Sequence, residues 1–113
     1  MSEMREPTFL ILSALADGPK HGYAIIQDAA AQSEGRVLLQ AGTLYAALDR
    51  LAVEGLVVTT GEEVVGGRRR RYVGLTDEGA AALEREAHRQ AATAKRALER
   101  LRRAARSATA VTS

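Results

Sequence analysis

Four consecutive arginines, Arg68–Arg71, are the residues of this sequence best suited to binding a charged ligand. A guanidinium group is always charged, and its planar donors match the oxygens of a phosphate. The phosphates of a nucleic-acid backbone are the partner that such a cluster indicates. The net charge of +2 is modest, so the placement of the arginines supports this interpretation more than their number does.

Few residues of the sequence could support catalysis or bind a metal. There is no Cys, and His21 and His88 are the two histidines, so a thiolate site is excluded and a histidine cage or triad would be poorly supplied. No nucleophile–base pair and no phosphate-cradling glycine loop is recognisable. We therefore expect no enzyme activity, no metal and no cofactor.

The length of 113 residues fits one compact domain, and only 4% of the residues are aromatic. A core of small aliphatic side chains buries little area, so we expect a partner chain to contribute stability. Met1–Pro7 lacks the pattern of a signal peptide, and the apolar stretch Phe9–Ala16 is too short to span a bilayer. These features predict a cytoplasmic protein without membrane contact.

Apolar residues at helical spacing predict three helices before the arginines. The first begins at Pro7 and ends before Gly18, and the second covers 22–32, with His21 as a cap or packed turn residue and Tyr23 in the core. The third covers 43–54 with Thr43 as its N-cap. Its apolar stripe consists of Leu44, Ala47, Leu48 and Leu51.

The arginines lie in a predicted β-hairpin, which a long helix follows. The β-branched run 56–60 and the segment 71–75 suit two strands with glycines between them. Thr76 is suited to cap the final helix, whose apolar positions continue to Ala105 over about 40 Å. This order predicts a mainly α fold with a small β-hairpin. It divides into a winged helix-turn-helix domain over 1–75, a dimerisation helix over 76–106 and a disordered tail over 107–113.

Several short motifs along this framework support a more specific interpretation. They are Gly18–Ile25, Gly42–Leu51, Glu54–Val57, Arg70–Tyr72 and Leu75–Gly79. In this order and spacing they resemble the PadR family of transcriptional regulators, and in particular its short branch with a single C-terminal helix. Two departures are Ala41, where the family usually has Pro, and Val73, where a second aromatic residue often occurs.

The resemblance implies a repressor that binds an inverted-repeat operator in double-stranded DNA as a homodimer and is released by a small-molecule effector. In such a protein the helix at 43–54 enters the major groove, and the Arg-rich wing lies on the backbone or in the minor groove. The candidate DNA contacts are Lys20, Thr43, Leu44, Tyr45, Arg50, Arg68, Arg69, Arg70 and Arg71. The candidate residues of a dimer interface or ligand site are Phe9, Leu12, Leu83, Ala87, Ala94, Leu98 and Leu101.

Other interpretations of these residues stay open at this point. Strand alternation separates Arg69 and Arg71 from Arg70, so at most two or three arginines can face DNA together. Some of the arginines could instead pair with Glu62, with Glu63 or with the acidic residues at the start of the last helix. Asp49 either faces solvent, accepts a hydrogen bond from a cytosine amine or holds Arg50 in place. The whole chain could also be a winged-helix module that binds protein without sequence-specific DNA binding.

Overall fold

The computed structural model describes the backbone of residues 4–112 and the side chains of residues 4–109. Within this range the chain forms four helices and three strands: α1 (Glu6–Ala14), β1 (Lys20–His21), α2 (Gly22–Gln32), α3 (Ala41–Val53), β2 (Val57–Val65), β3 (Arg68–Leu75) and α4 (Asp77–Thr112). The strands form an antiparallel sheet in the order β1-β3-β2. The predicted fold class, a mainly helical winged helix-turn-helix with a small β-hairpin, is confirmed.

Aliphatic side chains from the first three helices form the core. Ile11 and Leu12 of α1 pack with Ile25 of α2 and with Leu44 and Leu51 of α3, and all five are fully buried. Val57 and Val73 close the core on the side of the sheet. Because one stripe of α3 is fixed in this core, the opposite side of that helix faces outward.

The third helix begins two residues earlier than the sequence predicted. Its N-cap is Gln40, whose side chain makes no capping hydrogen bond, and Thr43 lies in the first turn. The prediction of Thr43 as the N-cap is therefore wrong. At the other end Gly55 has a φ of 80°, a left-handed conformation that glycine adopts without strain, and the chain turns there into β2.

The hairpin of β2 and β3, which we call the wing, is longer than expected. Its register pairs Glu62 with Arg71 and Glu63 with Arg70, so oppositely charged side chains extend the ladder toward the tip. The arginines consequently lie in a strand and not in a loop. Strand β1 was not predicted, because two residues are too few for a recognisable period; it pairs with β3 through Lys20–Val73 and His21–Tyr72.

Thr76 begins the last helix as predicted. Its hydroxyl oxygen accepts from the backbone N–H of Gly79 at 3.0 Å, and the hydroxyl donates to the carbonyl of Gly55 at 2.6 Å. Helix α4 continues to Thr112, so residues 107–112 are helical and not a disordered tail, while Ser113 lies outside the described residues. Among the helices that are described, none is long and apolar enough to cross a membrane.

The chain divides into two compact units, and the boundary follows Leu83. The first turns of α4 thus belong to the first unit, whereas the sequence placed the boundary at residue 75. In the second unit Glu86 accepts hydrogen bonds from Arg89 and from Gln90, the latter at 3.0 Å. These bonds stabilise the charged carboxylate and lower the pKa of Glu86 to about 2, and the bond from Arg89 has the largest effect.

Candidate nucleic-acid interface

The outward side of α3 carries four residues spaced by four, three and four positions. They are Gly42, Ala46, Asp49 and Val53, which we call the reading face, and all four are exposed. Thr43 and Arg50 are exposed on one flank of this face, and Tyr45 is exposed on the other. The small side chains of Gly42 and Ala46 leave the backbone of α3 open to close approach by a ligand.

Leu44 is a correction to the predicted DNA contacts. Its side chain is fully buried in the core between α1 and α2, so it cannot reach a base or a phosphate. The apolar stripe predicted from the sequence already contained Leu44, and the two assignments were incompatible because one helical residue points in one direction.

Tyr45 lies beside the start of α2. A Cβ atom added at Gly22 would be 2.5 Å from the hydroxyl oxygen of Tyr45, so the absence of a side chain at Gly22 makes room for the phenol. Tyr45 is 42% exposed, and its ring also faces the wing. The guanidinium carbon of Arg71 is 5.9 Å from the ring centroid.

The wing presents its arginines on two faces, as strand alternation predicted. The register places Arg69 opposite Val64 and Arg71 opposite Glu62 on one face, and Arg68 and Arg70 lie on the other. Arg69 is 3.8 Å from Glu62, which confirms that one of the arginines pairs within the wing. The arginine side chains at 68, 69 and 70 are all exposed.

The base of the wing lies against α3 and α2. A guanidinium nitrogen of Arg71 is 4.0 Å from a carboxylate oxygen of Asp49. One residue further along β3, the Tyr72 hydroxyl donates to Glu63 at 2.8 Å, and this bond to a carboxylate raises the pKa of Tyr72. The Tyr72 ring also packs edge-on against the ring of His21, at 5.6 Å between centroids. The wing and the helices therefore form one continuous surface.

Two basic residues predicted to contact DNA already have partners within the protein. The ammonium group of Lys20 donates to the carbonyl of Ala14 at the end of α1 and to the carboxylate of Asp17, and it lowers the pKa of Asp17. Arg50 donates to the hydroxyl of Thr8 at 3.0 Å. Arg50 also lies 3.9 Å from Glu54. A phosphate would have to compete with these groups.

Two residues at the start of α2 have different outcomes. His21 caps the helix, since its Nδ1 accepts from the N–H of Ala24 at 3.4 Å, and this confirms its predicted role. Tyr23 was expected in the core, but it is 64% exposed. Its position in the first turn of α2 directs it away from the buried side that Ile25 and Ala29 define.

The residues predicted for a dimer interface fall into two groups. Leu12 is fully buried in the core of its own chain, so its assignment to an interface is wrong, and Phe9 and Leu83 are half-buried. Ala87, Ala94, Leu98 and Leu101 are exposed along the second unit of the chain. Leu98 and Leu101 line a shallow open groove of about 340 Å³ together with Arg102 and Ala105.

The fold and the arginine-rich wing beside an exposed helix define this chain as a winged helix-turn-helix protein of the DNA-binding class. Residues 11–85 match the model of the transcriptional regulator PadR-like family. The match extends from α1 through the wing into α4, more than half of the chain. The chain belongs to the PadR family of transcriptional regulators, as the sequence motifs predicted.

Solved structures and one curated relative are similar to this chain. A PadR family transcription regulator from Clostridium difficile R20291 shares 27% identity with a TM-score of 0.71, over 86% of this chain and 99% of that one. Bacillus subtilis PadR in complex with operator DNA has the same fold at 23% identity and a TM-score of 0.62, over 71% of this chain and 45% of that one. An uncharacterized 37.1 kDa protein in transposon TN4556 of Streptomyces fradiae is 46% identical over 90 residues, which are 80% of this chain and 24% of that protein. This chain thus spans about a quarter of the length of that relative.

Proposed function

We propose that this chain is a transcriptional repressor that binds an inverted-repeat operator as a homodimer. Helix α3 enters the major groove with its reading face, and the wing lies on the backbone or in the minor groove. The observation that carries the proposal is the continuity of the two elements: Arg71 of the wing lies 4.0 Å from Asp49 of α3. One duplex can therefore meet both elements of a single chain.

The phosphate contacts in this proposal come from two places. The exposed side chains of Arg68, Arg69 and Arg70 provide positive charges at the wing. The first turn of α3 has no side-chain cap, and the N–H groups of Ala41 and Gly42 are close to the exposed surface. Helix N-termini bind phosphate oxygens through such groups. The PadR of Bacillus subtilis, which has the same fold, is seen in complex with operator DNA, and this supports a DNA partner here.

The homodimer in this proposal forms through α4. Ala87, Ala94, Leu98 and Leu101 share one side of the helix and are exposed, although the rest of the helix is rich in charge. A second copy is a suitable cover for a stripe of small and apolar residues, because small side chains permit close packing. A two-fold dimer presents two reading faces, which fit half-sites about 34 Å apart on one side of a duplex.

Release from the operator by a small-molecule effector is the last part of the proposal. Such an effector must bind the DNA-competent and the DNA-incompetent dimer with different affinity, since equal affinity shifts no equilibrium. An effector would raise the melting temperature of the free protein and weaken operator binding in the same concentration range. A compound that does one without the other is not the effector.

The proposal is tested by selecting bound duplexes from a random pool at low salt. We expect an inverted repeat whose half-site centres are about ten base pairs apart, and an affinity that falls steeply as salt increases. A protein that retains no duplex even in dilute buffer would contradict the proposal. That result would favour the protein-binding module that the sequence also allowed.

A further inference from the structure

The reading face of α3 has an unusual composition for a surface that approaches DNA. Of its four residues, Asp49 alone has a hydrogen-bonding side chain, and that side chain is an acceptor with a negative charge. The Asp49 side chain is 77% exposed. A carboxylate at the centre of a DNA-facing surface repels phosphates. A nearby positive charge would offset this repulsion, and a favourable contact with a base would explain why a carboxylate occurs there.

Arg71 is the compensating group. Its guanidinium lies 4.0 Å from the Asp49 carboxylate and 5.9 Å from the centroid of the Tyr45 ring, one helical turn before Asp49. Across the wing, Glu62 is the register partner of Arg71. The Glu62 carboxylate itself lies 3.8 Å from Arg69, so the groups near the Arg71 guanidinium are the Asp49 carboxylate and the Tyr45 ring. The Arg71 side chain is 40% exposed, compared with 75% for Arg69.

These contacts give Arg71 a different role from the other wing arginines. The side chains at 68, 69 and 70 are exposed on the part of the wing beyond Arg71, and Arg69 there lies 3.8 Å from Glu62. Arg71 has its charge near Asp49 and its guanidinium carbon near the Tyr45 ring, so an attraction from Arg71 acts on the Asp49 carboxylate at the surface of α3.

We propose that Asp49 recognises a cytosine in each operator half-site, and that Arg71 is a positioning residue that holds Asp49 for this contact. The inference rests on the proposed function. In the major groove cytosine presents the N4 amine as a donor, and guanine and thymine present acceptors that a carboxylate repels. Adenine presents a donor next to the N7 acceptor, so a group that only accepts meets repulsion there as well. Cytosine is the base that fits Asp49.

The test compares the sequences that the full-length dimer selects from a random duplex pool. The wild-type protein is compared with Asp49→Asn and with Glu62→Gln as a matched control, because Glu62 is an exposed carboxylate at the register position opposite Arg71 in the wing. We expect one position of each wild-type half-site to be cytosine, favoured about tenfold over other bases. In Asp49→Asn this position changes to adenine, which an amide can bind through N6 and N7. The other positions of the motif do not change.

The control separates base recognition from a general effect of charge. Glu62→Gln removes one negative charge from the same surface, so it raises the affinity for all duplexes and leaves the motif unaltered. If Asp49→Asn behaves like Glu62→Gln, with tighter binding and the wild-type motif, the inference is overturned. If the wild-type protein enriches no sequence at all, the proposed function has failed instead, and the two failures are therefore distinguishable.

The role of Arg71 has its own measurement. We expect Arg71→Ala to weaken the cytosine preference at the Asp49 position while the slope of log affinity against log salt stays unchanged. Arg68→Ala, in contrast, lowers that slope by about one unit and leaves the motif intact, as removal of a phosphate contact does. An Arg71→Ala protein that loses salt dependence and keeps the full cytosine preference would show Arg71 to be an ordinary phosphate contact.

Discussion

Single residues in this chain determine whether its elements can approach each other. Gly79 is the clearest case, because a Cβ atom there would be 1.9 Å from the carbonyl oxygen of Leu56. That carbonyl also accepts from the N–H of Thr76 at 3.1 Å, so the start of α4 is fixed against the residue before β2. The motif Leu75–Gly79 that identified the family in the sequence thus corresponds to a packing requirement.

Replacing Gly79 with Ala is expected to destabilise the protein by about 2–3 kcal/mol, because a backbone atom must move to admit the methyl group. The matched control is Gly42→Ala, also in a helix, where an added Cβ meets no atom within 4 Å. There the substitution is expected to stabilise by about 0.5–1 kcal/mol. Urea unfolding followed by circular dichroism measures both changes. Equal midpoints for Gly79→Ala and the wild type would refute this packing role.

The sequence predicted some residues well and others poorly, for definable reasons. Thr76 and His21 were predicted as caps from local rules, and caps are local interactions. Lys20 and Arg50 were predicted to contact DNA because they are positively charged. In the structure they donate hydrogen bonds to Ala14 and Thr8 of α1. Such pairings depend on how the helices pack, which no pattern within one element encodes.

At the scale of elements, helix boundaries followed from sequence wherever glycine or proline marked them. Helix α2 has the predicted bounds, and α1 begins one residue before Pro7. The wing was predicted too short, because its strands are exposed and charged rather than alternately apolar, and cross-strand pairs extend it. The small and polar residues of the tail at 107–112 led to a prediction of disorder, whereas α4 continues through them, and Ala108 and Ala110 are the strong helix formers among them.

Helix α4 supplies a prediction about pH. The pKa of Glu86 is lowered to about 2 in the folded helix, below the unfolded value near 4.3. A lowered pKa stabilises the folded state above the unfolded value, and this contribution disappears as the pH falls from about 4.3 through about 2. We expect Glu86→Gln to lower the melting temperature at pH 7 and to have little effect near pH 2. Glu99→Gln, on the same helix, is the control, and a difference that persists at pH 2 would contradict this linkage.

For the whole molecule, the stripe on α4 is the surface through which we propose that two chains pair. The core of the first unit is complete in itself, whereas Leu98 and Leu101 are 58% and 67% exposed. The sequence indicated this stripe through its spacing. It could not indicate that Leu12 lies in the core and not in a dimer interface or ligand site, because both environments require an apolar residue.

Introducing Leu98→Glu and Leu101→Glu together is expected to give a monomer, because two carboxylates would have to be buried in the proposed interface. Operator affinity is then expected to fall by roughly a hundredfold or more, since one half-site is held without its partner. Light scattering coupled to size exclusion measures the mass. Ala92→Glu, on the opposite side of α4, serves as the control and is expected to remain dimeric. A dimeric double variant would place the interface elsewhere.

Two adjacent residues of β3 attach the wing to different helices. Arg71 faces Asp49 of α3, and Tyr72 pairs with His21 at the start of α2. Replacing residues 62–70 with those of a relative would keep both contacts and change only the outer part of the wing. An exchange that also replaces Arg71 and Tyr72 would remove both contacts with the helices. The chimeric protein would then have a new wing whose orientation relative to α3 is no longer fixed.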